Sequence, residues 1–193
     1  MSHDTRLPDD PAPFPPFGVN KREQVYDSPW CGLRRDEVVL PNGDPQEYHV
    51  FEISNAVAVV PITREGEFVL VGQYRYTHGA TQWEVPAGRL EDGEAPQTGA
   101  LRELREETGY APDRMVELPG FYPTGGISAH YAHAYCALDC DLVGELQLEA
   151  SEQLIVRTFP RTQVEGLLDA GRFADGFTAL SIAYALRIVP ELA

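Results

Sequence analysis

Glu103, Glu106 and Glu107 stand together in residues 88–110, GRLEDGEAPQTGALRELREETGY, directly behind Arg102 and after a glycine-led loop that carries Glu94. A helix turns 100° per residue, so Glu103 and Glu107 lie one turn apart on one face, with Glu106 beside them. Two carboxylates 4 Å apart repel by roughly 1 kcal/mol even in water, and by more where water is excluded. A divalent cation relieves that crowding. Mg²⁺ takes oxygen ligands, keeps several waters and bridges to phosphate oxygens. A hard cation held by such a cluster can neutralise phosphate charge and activate a water. An acidic run on a helix usually marks a solvated face, but a solvated face would not require the preceding glycine loop.

The neighbouring residues say how these acids would be held. Pro96 suits a first helical turn, where its missing N–H costs nothing, and Gly109 suits the left-handed position that ends a helix. Ala100, Leu101, Leu104 and Thr108 form a less polar stripe on another side of the helix, so it can pack and still present its acids. Gly99 is a mild misfit, costing about 1 kcal/mol against alanine, and reads as a close packing contact or as nothing.

Around this helix the pattern alternates strand and turn signals. Residues 48–53, 55–62, 68–74, 83–85, 113–122, 131–138 and 154–159 read as strands, and residues 162–170 and 178–188 as helices. Residues 86–88 read as a loop leading into the acidic helix. Strands on both sides of one helix, followed by terminal helices, predict an α/β fold with a mixed sheet between helices. Residues 1–18 are proline-rich without a hydrophobic period and read as a flexible tail. Residues 19–53 read as an N-terminal strand segment and residues 54–193 as the main domain.

Composition excludes several classes. The chain has 193 residues, 43% hydrophobic and 23% charged, and a net charge of −15. That charge argues against nucleic acid or an anionic membrane as partner. No apolar run approaches the roughly 18 residues of a membrane span. Cys31, Cys136 and Cys140 have neither zinc spacing nor a disulfide framework, and Cys136 reads as a core thiol. No charged-then-apolar signal pattern opens the sequence, so a reduced, cytoplasmic setting is expected.

The acidic segment resembles the signature box of the Nudix hydrolases: Gly, five residues, Glu, seven residues, then Arg-Glu-aliphatic-any-Glu-Glu-any-Gly-hydrophobic. Gly88, Glu94, Arg102, Glu103, Leu104, Glu106, Glu107, Gly109 and Tyr110 meet every defined position. The resemblance covers roughly residues 45–190. It implies an α/β/α sandwich with a mixed β-sheet, a homodimer, and Mg²⁺-dependent (or Mn²⁺-dependent) hydrolysis of a nucleoside diphosphate linked to another group. It also implies roles. Glu103 and Glu107 would be direct metal ligands, Glu106 would serve another metal or hold the water, and the Ala87 carbonyl would be a further ligand. Arg102 would orient Glu103 or Glu107 through its fixed fork of donors, and Glu94 would secure the loop. The general base would come from a later loop, with Glu152 first and Glu149 second.

Flanking residues resemble the ADP-ribose and nucleotide-sugar pyrophosphatase branch. Val71-Gly72-Gln73-Tyr74-Arg75 precedes Trp83-Glu84-Val85-Pro86-Ala87-Gly88, and Pro123 sits where that branch places a characteristic proline. Arg75, Glu84, Gly88 and Pro123 are thus the candidate substrate-binding residues. Arg75 and Glu84 read equally well as a structural ion pair, and Pro123 as a plain turn. The loop departs from the branch: residues 124–130 read TGGISAH, without the usual acids. His130 there reads as an exposed loop histidine or a substrate contact. Other substrates within the same chemistry are a dinucleotide, a diadenosine polyphosphate or a CoA derivative. A different class is a non-catalytic nucleotide sensor, which would be expected to erode the box acids or append a DNA-binding module. In the N-terminal segment, Tyr26 and Trp30 read as core or turn packing, or as aromatics that stack on a base across a dimer interface.

Overall fold

The computed structural model of the chain describes residues 14–148 and 153–192. Most of the proline-rich segment, and both Glu149 and Glu152, lie outside the described residues. The chain divides into two compact units, Met1–Glu52 and Ile53–Ala193.

In the first unit, β1 (Gly18–Asp27), β2 (Gly32–Val39) and β3 (Pro45–Glu52) form a three-stranded antiparallel sheet in that order. Its central strand carries an ion-pair chain in which Arg34 bonds both Asp36 and Glu52. Phe17, Val19, Val25, Tyr26, Trp30, Tyr48 and Phe51 are all exposed. Tyr26 and Trp30 therefore do not pack into a core, the first of their expected alternatives.

The second unit is built on an eight-stranded mixed sheet, β11-β5-β4-β10-β8, with β6 on β5, β7 on β4 and β9 on β10. Its strands are β4 (Ala56–Thr63), β5 (Phe68–Arg75), β6 (Ala80–Glu84), β7 (Ala87–Arg89), β8 (Tyr110–Ala111), β9 (Arg114–Phe121), β10 (Ala132–Leu142) and β11 (Leu154–Phe159). Among the described residues only β4 and β10 run parallel; the other pairs are antiparallel. The helices are α1 (Pro96–Thr108), α2 (Arg161–Asp169) and α3 (Gly176–Ile188), with a 3₁₀ turn at Pro190–Leu192.

β4 explains the layering. It is buried along its whole length, as a strand covered on both faces must be. Successive side chains point to opposite faces. Val57 and Val59 enter the cluster formed with Ala100 and Leu104 of α1. Ala58, Val60 and Ile62 enter the cluster that holds Val164 of α2 and Ile182 and Ala185 of α3. The sheet is therefore packed between α1 on one side and α2 with α3 on the other, the expected sandwich. Cys136 is wholly buried in the second cluster, and burial pushes its thiol up to about 12.

α1 begins with Pro96 and ends at Gly109, whose φ of 74° is left-handed. The stripe differs from expectation at Leu101, which is exposed while Ala100, Leu104 and Thr108 are buried. The misfit at Gly99 has a steric cause: a Cβ there would fall 2.6 Å from Leu90 Cδ2 and 2.8 Å from a Glu94 carboxylate oxygen. The helix thus approaches the loop that leads into it more closely than alanine permits without a shift of those side chains.

Candidate active site

Residues 86–88, read as a loop from the sequence, are a link and a short strand. Ala87–Arg89 pairs antiparallel with β4, Ala87 opposite Ala58 and Gly88 opposite Val57. Period-two patterning cannot reveal a strand of three residues that follows a proline. This strand lies under α1, because Gly88 has no side chain. A Cβ on Gly88 would sit 2.1 Å from the Glu103 carboxyl group. Glu103 therefore rests directly over the Gly88 backbone.

Two devices hold the acids. Arg102 is the first. It donates to both oxygens of Glu94 at 3.0 Å, to Glu103 at 2.7 Å, to Glu106 at 3.0 Å and to the Arg89 carbonyl at 3.0 Å. Glu94 also accepts from the Glu91 N–H, so it secures the loop as expected. The Glu94 hydrogen bonds, with those to Glu103 and Glu106, raise the Arg102 pKa against the opposing effect of burial. Arg102 in turn holds Glu94 below the usual carboxylate range.

The second device is the strand itself. The Ala87 N–H donates to Glu107 Oε2 at 2.9 Å. Of the two acids Arg102 was expected to orient, it bonds Glu103, and the Ala87 backbone bonds Glu107. A backbone partner contributed by another element has no signature in the local spacing. Glu103 and Glu107 are 9% and 4% exposed, while Glu106 lies nearer solvent. Among the described residues, no three acidic, imidazole or thiol groups converge closely enough to hold a metal ion unaided. The donor set still suits a hard divalent cation. All its side chains are carboxylates, two of them are buried, and Glu103 closes over the strand at Gly88, where there is no room for a Cβ. Phosphate oxygens and waters would complete the shell of such an ion.

Arg75 and Glu84 form a tight ion pair, with guanidinium–carboxylate distances of 2.6–3.2 Å. Glu84 is buried and Arg75 partly exposed. Burial is the largest single influence and works against the Arg75 charge, but the Glu84 hydrogen bonds and charge, together with the charges of Glu107 and Asp175, outweigh it. Its pKa is raised as a result. Arg75 is thus placed in the field of Glu107, beside the acids of α1. The pairing does not exclude a substrate role, because the exposed part of the guanidinium keeps further donors.

Pro123 stands in a turn, with Ile127 and Ser128 donating backbone N–H groups to the Thr124 carbonyl. His130 is not an exposed loop residue. It is 7% exposed, its Nδ1 lies 2.6 Å from the Ser54 carbonyl, and its ring is tilted beside Phe177. A carbonyl accepts only, so Nδ1 carries the proton. The next residue, Tyr131, donates its N–H to Asn55 Oδ1, and the Asn55 carbonyl accepts from the Leu90 N–H. The loop is thereby tied to the residue that follows β7, the strand under the acids of α1, through contacts between residues too distant in sequence for local patterning to show.

Glu149 and Glu152 lie outside the described residues, but the ends of their loop are fixed. The Gln147 N–H donates to the Glu106 carbonyl, and Leu154 of β11 pairs with Gln73 of β5.

Residues 53–179 match the model of the NUDIX domain, about two thirds of the chain, and residues 19–51 match that of the nucleoside diphosphate sugar hydrolase N-terminal domain. The chain belongs to the NUDIX domain family. It is a Nudix hydrolase, and enzymes of this family generally use a divalent metal. The chain is 32% identical over 164 residues to an ADP-ribose pyrophosphatase of Bacillus subtilis, covering 84% of itself and 89% of that protein. It is 30% identical over 162 residues to a CMP-5'-(N-acetyl-N-hydroxy-3-aminopropyl)phosphonate hydrolase of Streptomyces rubellomurinus, covering 84% and 78%. A crystal structure of an ADP compounds hydrolase shares the fold, with a TM-score of 0.81 at 19% identity over 92% of this chain and 96% of the other. Among the described residues, no helix of this Nudix hydrolase is long and apolar enough to cross a membrane.

Proposed function

We propose that this Nudix hydrolase cleaves the pyrophosphate bond of ADP-ribose or another nucleotide sugar with Mg²⁺, which Mn²⁺ can replace. The observation that carries the reading is the placement of two buried carboxylates, Glu103 and Glu107, against the strand at Ala87 and Gly88, with the Arg75 guanidinium in the field of Glu107. Glu103, Glu107, Glu106 and the Ala87 carbonyl would hold the cation. Bound there, it would neutralise phosphate charge and lower the pKa of a water.

The chain's own groups do the rest. Arg102 fixes Glu103 and Glu106 so that little reorganisation accompanies the reaction. Arg75 offers its outward donors to a phosphate or terminal ribose, and Glu84 holds Arg75 or accepts from a sugar hydroxyl. Gly88 lets the Glu103 carboxyl close over the backbone beside the diphosphate, and Pro123 shapes the nearby loop. Glu152 takes the proton from the attacking water on its carboxylate, with Glu149 as substitute; the anchored ends of their loop, at Glu106 and Gln73, support this assignment.

The exposed aromatic surface of the N-terminal sheet supports a homodimer. A three-stranded sheet with apolar residues in water needs a covering partner, and a second copy supplies one. On this reading residues 19–53 are the dimer-forming strands and 54–193 the catalytic domain, in a reduced cytoplasmic setting.

The test is phosphate release, in the presence of a phosphatase that acts on the products, from ADP-ribose, UDP-glucose, GDP-mannose, NADH, diadenosine polyphosphates and CoA. Hydrolysis of ADP-ribose to AMP and ribose 5-phosphate, abolished by a chelator, is expected to dominate. Faster cleavage of NADH, a diadenosine polyphosphate or CoA would replace the substrate class. Tight binding without cleavage of any compound would favour a sensor.

A further inference from the structure

We propose that Thr178 is a positioning residue for the active site, its hydroxyl bracing the two-residue link between β6 and β7. The proposal rests on the hydrolase reading above. The link is Val85-Pro86, between Glu84 at the end of β6 and Ala87 at the start of β7. Both ends belong to the site: Glu84 grips Arg75, and Ala87 holds Glu107. Any drift of the link moves both.

The link has two polar handles. The Pro86 carbonyl accepts from the Val59 N–H at 2.9 Å. The Val85 N–H is the only donor in the link, because proline has none, and Val85 is 1% exposed. Its partner is Thr178 Oγ1, at 3.1 Å and far away in sequence. Thr178 is itself fully buried in the first turn of α3. The same hydroxyl donates to Asp175 Oδ2 at 2.8 Å, which fixes its proton and aims a lone pair at Val85. Asp175 also caps α3 through the Thr178 backbone N–H at 2.7 Å. That cap is independent of the hydroxyl. A hydroxyl used only for capping would not reach across to another element, and the element it reaches carries both arms of the site.

Thr178→Val is the decisive variant. It keeps shape and β-branching, retains the backbone cap and removes both hydroxyl bonds. In the native pocket it leaves the Val85 N–H buried without a partner. Displacing reacting groups by about 1 Å can cost about 10²-fold in rate. Thr178→Val is accordingly expected to lower kcat on ADP-ribose by about 10- to 100-fold, with KM changed less than about threefold. Affinity for Mn²⁺ alone, titrated without nucleotide, is expected to fall about tenfold, because Ala87 and Glu107 share the displaced link. Thr178→Ser is expected to restore both values to within about threefold of the original, since its hydroxyl can make both bonds.

A Thr178→Val protein that melts earlier but keeps its kcat, KM and Mn²⁺ affinity would overturn the proposal, leaving Thr178 a structural residue only. If the valine variant does not fold, Thr178→Ala against Thr178→Ser under the same two readouts decides; equal values in the two variants would overturn it. A parent chain that binds Mn²⁺ yet cleaves none of the substrate panel sinks the substrate assignment alone, and the Mn²⁺ titration then judges Thr178 by itself.

Discussion

Glu107→Gln is expected to fold, melt within a few degrees of the parent protein and lose at least about 10²- to 10³-fold in Mg²⁺-dependent kcat. The amide is the same size as the carboxyl group, and its oxygen can still accept the Ala87 N–H that Glu107 accepts now. The backbone strand therefore keeps its support. What disappears is a full negative charge in a setting where only 4% of the residue meets solvent. A neutral amide oxygen is a far weaker partner for a divalent cation than a carboxylate. It also reduces the field acting on Arg75, whose raised pKa owes part of its shift to Glu107. Steady-state kinetics across a Mg²⁺ series, with a thermal melt of the same preparation, checks both halves. Near-normal turnover in the folded variant would remove Glu107 from the metal set.

Glu152→Gln tests a different claim, that one carboxylate takes the proton from water. It is expected to lower kcat by about 10²–10⁴-fold, the usual contribution of a general base. Mn²⁺ affinity should stay close to that of the parent protein. That separation is the discriminating feature: Glu107→Gln is expected to weaken both metal binding and turnover, Glu152→Gln turnover alone. A loss of tenfold or less would pass the role to Glu149, to Glu106 or to bulk water. Running Glu149→Gln in parallel sorts the first of these from the others.

The parts of the site written into local spacing were legible from the sequence. Glu103, Glu106 and Glu107 on one helix follow from its period, and Pro96 and Gly109 mark its ends through their backbone preferences. β4 was legible as a strand at residues 55–62, though its burial on both faces was not read from it. The parts that depend on distant chain segments were not legible. The Ala87–Arg89 strand is too short to show a period, so its pairing with β4 and its grip on Glu107 were hidden. His130, expected in an exposed loop, is buried because Ser54 offers a carbonyl to its ring across the fold. Leu101, read as part of its helix's apolar stripe, is exposed. Gly99 was read as a close packing contact or as nothing; it is the former, and its partners Leu90 and Glu94 were not legible. Arg75 and Glu84 were read as substrate ligands or an ion pair. They form the ion pair, and the substrate role rests on the donors Arg75 still turns outward.

The most direct measurement is a crystal structure of the protein with Mn²⁺ and an ADP-ribose analogue whose bridging oxygen is replaced by a methylene group. An anomalous peak between the Glu103 and Glu107 carboxylates, the Ala87 carbonyl and the analogue's phosphates is the predicted result. An analogue bound with its phosphates away from α1, and no anomalous density at those carboxylates, would contradict the account.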